Sequence, residues 1–282
     1  MYEIDWNPTH PGHLVFLLDL SASMGTKNRI DDAINALQIT LTDIFEQCLN
    51  TFVDPNGRPS VEIKERVSVS IYGYNFKVKN LGGIKNWGVK QIGKLLENSE
   101  GKPIFDKLTE AKPEWQTCMC AAFQEAKRDI EDWLSQQSGS EIPAPIVINI
   151  TDGYPYDGKQ FDQNEVFERT LRAAKDLMNI RTKDGPVRIM NIQYYDTLQT
   201  LRFPMVEPSP TDTLEQKALS FLFNASSVLT ADMAKALNYD FEEAREGARA
   251  MICNEQDPEN LTSFISIVST VQLNPWSWSD LL

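Results

Sequence analysis

The sequence predicts an α/β fold with a doubly wound, mainly parallel central sheet flanked by helices. Three apolar runs, at 14–20, 145–151 and 186–195, lack the alternation of a half-exposed strand and are typical of strands buried on both faces. Segments in which apolar residues recur every three or four positions lie between these runs, and they are long enough to form crossover helices. Strands that alternate with helices in this way indicate a parallel sheet.

Periodicity and turn residues define the remaining elements. Asp31 and Asp32 fall in the first turn of a helical pattern, where the helix dipole favours acidic residues. The letters DPNG at 54–57 predict a turn. In chain order, the further predicted elements are a helix at about 30–48, a turn-containing segment at 51–65, a strand at 66–74, a loop or irregular hairpin at 75–90, and helices at about 88–98, 117–137, 164–182, 212–223, 230–237 and 256–270.

No repeat, low-complexity tract or long linker divides the chain, so the sequence predicts one domain. We place this domain at 13–271, after an N-terminal extension at 1–12 and before a C-terminal tail at 272–282. The tail contains two tryptophans, which suit a docked or partner-binding segment.

Composition excludes several classes of partner and predicts a cytoplasmic protein. The 282 residues have a net charge of −13, which repels nucleic acid and anionic lipid. No apolar stretch approaches the ~20 residues of a membrane-spanning helix, and the N-terminus lacks the pattern of a signal peptide. The four cysteines fit neither a zinc ribbon nor a dense disulfide framework, so we expect reduced thiols.

Two of the buried strands end on an acidic residue, Asp19 and Asp152. Ligands bind at the carboxyl ends of the strands in such sheets, so the two carboxylates are expected to meet there. Ser21 and Ser23 lie two positions apart after the first strand, and Thr117 opens a later helix. Oxygen donors of this kind suit Mg²⁺ or Mn²⁺ better than Zn²⁺. Neutral hydroxyl ligands would leave such an ion electrophilic, ready to accept a carboxylate from a protein partner.

Each of these residues also has a purely structural interpretation. Asp19 with the two serines could form a strand-end turn with hydroxyl caps, and Thr117 could cap a helix. Asp157 is interpreted as a turn residue rather than a ligand. The loop aromatics Trp115, Tyr154 and Tyr156 are candidates for a partner-binding rim around the metal.

The motifs at these positions resemble the metal-ion-dependent adhesion site of von Willebrand factor type A domains. The first motif of that site, D-x-S-x-S, corresponds to residues 19–23, its threonine to Thr117, and its last aspartate to Asp152 in ITDG. The resemblance implies a Rossmann-like fold and assigns five metal ligands, Asp19, Ser21, Ser23, Thr117 and Asp152. The chain has Trp115 and Gln116 where members of this family often carry two glycines.

Two later segments, 222–233 and 259–271, resemble a bacterial intracellular branch of the same family, encoded with tellurium-resistance and stress operons. This resemblance implies a protein phosphatase or a kinase-like protein as partner. Together with the site, it implies a non-enzymatic, metal-dependent protein-interaction module.

Two enzymatic readings remain as alternatives. The first is a metal-dependent phosphohydrolase with Asp19 as nucleophile; such enzymes carry a second aspartate two residues later, where this chain has Ser21. The second is a serine hydrolase, but the sequence has no G-x-S-x-G motif and both histidines precede the serines. Phosphate-binding glycine motifs are also absent from the sequence.

Overall fold

A computed structural model describes residues 4–26, 28–99, 102, 104, 116–139, 141–194, 200–208, 213–255 and 257–273. The strands are β1 (Gly12–Asp19), β2 (Leu49–Val53), β3 (Pro59–Ile63), β4 (Val67–Tyr74), β5 (Val78–Asn80), β6 (Trp87–Gly88), β7 (Ile146–Thr151), β8 (Arg181–Thr182), β9 (Gly185–Pro186), β10 (Arg188–Gln193), β11 (Leu201–Arg202) and β12 (Met251–Cys253). The helices are α1 (Arg29–Gln47), α2 (Val89–Ser99), α3 (Met119–Ser135), α4 (Gln163–Met178), α5 (Leu214–Ala225), α6 (Ala231–Leu237) and α7 (Pro258–Thr270). None of the helices within these ranges is long and apolar enough to cross a membrane.

The central sheet has eight strands, and the predicted fold class is confirmed. Five parallel strands run in the order β12-β10-β7-β1-β4, and the antiparallel strands β11, β5 and β6 flank them. After β1 the chain passes through α1 to β4 on one side, and it later returns to β7 on the other side. The strand order therefore reverses around β1, the position at which open α/β sheets bind ligands.

Strand β1 is buried on both faces because a helical layer covers each side of the sheet. Leu14, Phe16 and Leu18 join a core that includes side chains of α1, α6 and α7. Val15 and Leu17 point the other way, into a core shared with α3, α4 and α5. The alternation of side chains along a strand thus divides one apolar run between two cores.

A buried polar network lies near the amino-terminal end of β1, at the far end from Asp19. His13 Nε2 lies 2.9 Å from an Asp129 carboxylate oxygen, and the Tyr72 hydroxyl donates to the other oxygen at 2.8 Å. His13 Nδ1 lies 2.9 Å from the Ser68 hydroxyl, and its ring stacks on Trp133. Both the imidazole and the Asp129 carboxylate are fully buried.

The structure contains strands that the sequence did not predict. Residues 51–65 form most of the antiparallel hairpin β2–β3 around the predicted turn, which Asp54 closes by accepting from the backbone N–H of Asn56 and Arg58. Strand β12 extends the parallel sheet beyond β10, although no strand was predicted there. Three residues are too few to show a periodicity, so tertiary pairing rather than local pattern defines β12.

Residues before and after the predicted domain boundaries pack on the sheet. The Trp6 side chain is 2% exposed, and its backbone N–H donates to the Gln272 carbonyl at 3.0 Å. The Ile4 N–H donates to the buried Asp184 carboxylate at 2.8 Å. Residues 274–282, with both tail tryptophans, lie outside the described residues. The proposed limits of the extension and the tail remain predictions.

We predict that Gly12→Ala destabilises the protein by about 1–3 kcal/mol, the usual cost of overpacking. A Cβ at this position would lie 2.0 Å from the nearest ring atom of Trp6, so the indole must move. Urea denaturation would measure the loss. Gly25→Ala is a suitable control because a Cβ there meets no atom within 4 Å, and we expect a change below about 0.5 kcal/mol. Equal stability of the two variants would contradict the prediction.

Candidate functional site

The register of the sheet brings Asp19 and Asp152 to one edge. Leu18 of β1 pairs with Ile150 of β7, so the two strands end at the same level. The Thr151 hydroxyl donates to an Asp19 carboxylate oxygen at 2.7 Å and links the two strand ends directly. Asp19 is 0% exposed and Asp152 is 3% exposed. The predicted convergence of these acids therefore occurs, and both are withdrawn from bulk water.

The loop after β1 connects the two carboxylates through its serine side chains. The second Asp19 oxygen accepts from the Ser21 backbone N–H at 2.8 Å, which bends the chain back over the strand end. The Ser21 and Ser23 hydroxyl oxygens are 3.1 Å apart. Ser23 donates to Asp152 at 2.8 Å. The Ser21 backbone N–H and the two serine hydroxyls thus connect one acid to the other.

Thr117 lies at the same end of the sheet, immediately before α3. Its backbone forms an isolated antiparallel bridge with Tyr156, with N–H···O distances of 2.8 and 3.1 Å. The Cys118 N–H donates at 2.8 Å to the carbonyl of Asn75, the residue that follows β4. Thr117 is thus held between the loop after β7 and the loop after β4, beside the ends of both strands. Its side chain is 7% exposed.

The spacing of the oxygen atoms suits a divalent cation. Ligands at right angles around Mg²⁺, each at ~2.1 Å, lie about 3 Å apart. The Ser21–Ser23 separation of 3.1 Å and the Ser23–Asp152 separation of 2.8 Å match this value. Among the described residues, no group of three or more His, Cys, Asp or Glu side chains could hold a metal ion. A cation at this edge would therefore depend on hydroxyl ligands as well as the two acids.

The charges of the two acids conflict when no cation is present. Burial, and after it the charge of the Asp152 carboxylate, raise the pKa of Asp19 to about 7, and the hydrogen bonds from Thr151 and Ser21 oppose this shift. Burial also raises the pKa of Asp152, although Ser23 and Arg29 oppose this shift. A divalent cation would relieve the repulsion by favouring both ionised forms.

The structure describes two of the three predicted rim residues, Tyr154 and Tyr156. Trp115 lies outside the described residues. The Tyr154 ring packs against Phe167, with ring centroids 6.1 Å apart, while the backbone of Tyr156 is held by Thr117. Both tyrosines are half-buried, and their role as a rim remains a prediction. Asp157 forms an ion pair with Arg169, which agrees with a structural role.

Known structures resemble most of this chain, whereas no protein-family model and no curated protein matches its sequence. The von Willebrand factor type A protein from Catenulispora acidiphila aligns over 94% of this chain and 43% of its own, with a TM-score of 0.50 and 11% identity. The chain has the fold of a von Willebrand factor type A domain. The pilus adhesin SpaC from Lactobacillus rhamnosus GG aligns over 97% of this chain and 32% of its own, with a TM-score of 0.58 and 10% identity.

The chain spans about a third of SpaC and less than half of the Catenulispora protein. At 10–11% identity the likeness extends to the fold alone. Support for a metal site therefore comes from the positions of the oxygen atoms at the ends of β1 and β7 in this von Willebrand factor type A fold, and not from the likeness itself.

Sequence reasoning missed two residues of the site. Thr151 supports Asp19, and Arg29 donates to Asp152 at 2.7 Å with a side chain only 11% exposed. Thr151 could have been found, since it directly precedes Asp152 on a strand whose end was already of interest. No local signal marks Arg29, because a basic residue at a helix start is unfavourable by itself and is explained only by the acid across the sheet edge.

Proposed function

We propose that this von Willebrand factor type A fold is a non-enzymatic protein-interaction module that uses Mg²⁺ or Mn²⁺ to bind a carboxylate of a protein partner. The observation that supports this most directly is the convergence of Asp19, Ser21, Ser23 and Asp152, which are linked by contacts of 2.8–3.1 Å. SpaC is named a pilus adhesin, and we propose a binding rather than a catalytic role here as well.

The residues that would hold the ion are Asp19, Ser21, Ser23, Thr117 and Asp152. When bound, the ion would supply a positive centre for a negatively charged ligand. Three of the five protein ligands are neutral hydroxyls and only two are carboxylates, so the ion would stay electrophilic enough to accept a further carboxylate. Thr151 fixes the Asp19 carboxylate, and Arg29 fixes that of Asp152. These contacts orient the site before a partner arrives.

The contacts of Asp19 disfavour the alternative of a phosphohydrolase. Both of its carboxylate oxygens accept hydrogen bonds, from the Ser21 N–H and the Thr151 hydroxyl, and the side chain is fully buried. A nucleophile needs an oxygen that can approach the substrate. We expect no turnover of an aryl phosphate in Mg²⁺; turnover that disappears in Asp19→Asn would establish the enzyme instead.

The partner that the resemblance suggests is a protein phosphatase or kinase-like protein of a bacterial stress response, within the cytoplasm. Four free cysteines, Cys48, Cys118, Cys120 and Cys253, are compatible with a reducing compartment. Affinity capture in Mg²⁺ and in EDTA, read by mass spectrometry, would identify proteins whose retention needs the metal. The net charge of −13 argues against nucleic acid or an anionic membrane as partner.

A peptide with a single carboxylate tests the proposed function. The probe is a capped Gly/Ser peptide of about 20 residues, extending up to ~60 Å, with one central glutamate, and its control carries glutamine there. In an NMR titration with Mg²⁺, the glutamate peptide is expected to perturb residues near Ser21 and Thr117, and the glutamine peptide is not. EDTA or Asp152→Ala should remove the effect. Equal behaviour of the two peptides in Mg²⁺ would contradict the proposal.

We predict that Arg29→Gln tightens Mg²⁺ binding by about tenfold. The guanidinium lies 2.7 Å from an Asp152 oxygen, so its charge opposes a second cation at this acid. Calorimetric titration with Mg²⁺ measures the change. Arg29→Lys is the matched control because it keeps the charge, and its affinity should stay close to that of the wild type. Weaker or unchanged binding in Arg29→Gln would show that the charge of Arg29 does not tune the site.

A further inference from the structure

A groove of about 740 Å³ runs between α3 and α4 and is covered at one end by the loop after β7. Its volume falls within the ~300–1,000 Å³ typical of ligand sites. Ala121 and Ala173 lie on the facing helices, and their small side chains leave space between the longer ones around them. We call this cavity the α3–α4 groove.

The α3–α4 groove adjoins the proposed metal site. Gln116 and Cys118 line it, and these residues flank Thr117 on both sides. Asp157, also in the lining, directly follows Tyr156, whose backbone pairs with Thr117. The α3–α4 groove therefore borders the Thr117–Tyr156 bridge, which positions one of the proposed metal ligands.

The groove contains basic side chains that the fold does not fully neutralise. Arg169 has a structural role, since it pairs with Asp157 and stacks over the Phe161 ring at 4.8 Å. Lys127 makes one long contact, 3.8 Å, to Glu131, and both side chains are substantially exposed, so this pair is weak. Within the described part of the chain, Arg172 lies on the same helix face and makes no ion pair.

The balance of charge in the groove is opposite to that of the protein. The lining has three basic side chains, Lys127, Arg169 and Arg172, and two acidic ones, Asp157 and Asp176, so its net charge is +1. Glu131, which pairs weakly with Lys127, lies outside the lining. The chain as a whole carries −13. A local positive charge in an acidic protein attracts an acidic ligand and orients it. Side-chain amides of Gln116 and Gln124 add groups that can pair with the main chain of an extended peptide.

We propose that the α3–α4 groove binds a second acidic residue of the same partner segment whose first carboxylate binds the metal. This inference rests on the proposed function and specifies the partner as an extended acidic peptide. Arg172 and Lys127 receive the second carboxylate. Because both contacts belong to one segment, the second acid is held at high effective concentration once the first is bound, and the affinities reinforce each other.

Two peptides of equal length test the inference. One is the Gly/Ser peptide of about 20 residues with a single glutamate, and the other alternates glutamate and serine, so it offers acids over ~60 Å of extended chain. In Mg²⁺ we expect the multi-acid peptide to bind wild-type protein at least about tenfold more tightly by fluorescence polarisation. Lys127→Gln with Arg172→Gln should remove that gain and leave the single-acid affinity unchanged.

The control carries the same change of charge outside the groove. Lys94→Gln with Arg128→Gln alters two exposed side chains on α2 and on α3, and it should keep the gain. The inference is overturned if the wild type binds both peptides equally, or if the groove and control variants lose the gain to the same extent. Failure of both peptides to bind in Mg²⁺ would instead overturn the proposed function, which distinguishes the two conclusions.

Discussion

Replacing Asp19 with alanine is expected to abolish stabilisation by Mg²⁺ while leaving the fold intact. An ion that binds only the folded state stabilises it by about 2.7 kcal/mol at a concentration of 100 Kd, and a variant without the site gains nothing. The fold should persist because the substitution also removes a buried carboxylate that Asp152 repels. Thermal unfolding with and without Mg²⁺ measures the effect, and near-ultraviolet circular dichroism checks the packing.

Two further variants make the Asp19 experiment specific. Asp152→Ala should lose the Mg²⁺ effect in the same way, because it removes the other buried acid. Asp31→Ala, an exposed acid in the first turn of α1, should keep it. An Mg²⁺ shift in Asp19→Ala as large as that of the wild type would place the ion elsewhere. The absence of any shift in the wild type would contradict the metal site itself.

Asp129→Ala is expected to lower the free energy of unfolding by about 3–5 kcal/mol, the cost of removing a buried carboxylate from the groups that hydrogen-bond to it. The substitution leaves the buried His13 imidazole and the Tyr72 hydroxyl without the carboxylate that they contact. Urea denaturation measures the loss. Asp132→Ala, three residues further along the same helix and exposed, should cost less than about 1 kcal/mol. Comparable losses in both variants would argue against the network.

The same carboxylate gives stability a defined dependence on pH. Burial would raise the pKa of Asp129, but hydrogen bonds and charge from His13, with hydrogen bonds from Tyr72 and Ser70, outweigh it and lower the pKa below its usual value. A lowered pKa contributes stability above the unfolded-state value of ~4, and that contribution is lost as the pH falls through the folded-state value. The wild type should therefore lose more stability than Asp129→Ala between about pH 4 and pH 2. Parallel curves would contradict the assignment.

The features of the site that were predicted from the sequence are those that a short local pattern encodes. Asp19 and Asp152 follow apolar runs buried on both faces, so their meeting required only that two parallel strands be neighbours. The spacing of two positions between Ser21 and Ser23 predicted that their hydroxyls would lie on the same side of the loop, and the two oxygens are 3.1 Å apart. Each of these inferences depends on residues close together in the chain and on one rule of sheet topology.

The remaining features depend on contacts between distant segments. The role of Arg29 depends on its contact with Asp152, which is 123 positions away in the sequence. Strand β12 pairs with β10 although its three residues show no periodicity. His13 could be mistaken for a loop residue until Asp129 and Ser68 enclose it. Tertiary packing determines the roles of these residues, and local sequence propensity cannot predict them.

The short antiparallel strands β11 and β5, of two and three residues, stand at the two outer borders of the sheet. Edge strands this short present few unpaired backbone N–H and C=O groups, so a strand of another chain could form few hydrogen bonds with them. A second molecule would gain little by lengthening the sheet sideways. Under the proposed function, we expect a partner to bind the loops at the carboxyl ends of the strands, where side chains rather than main-chain pairing would determine selectivity.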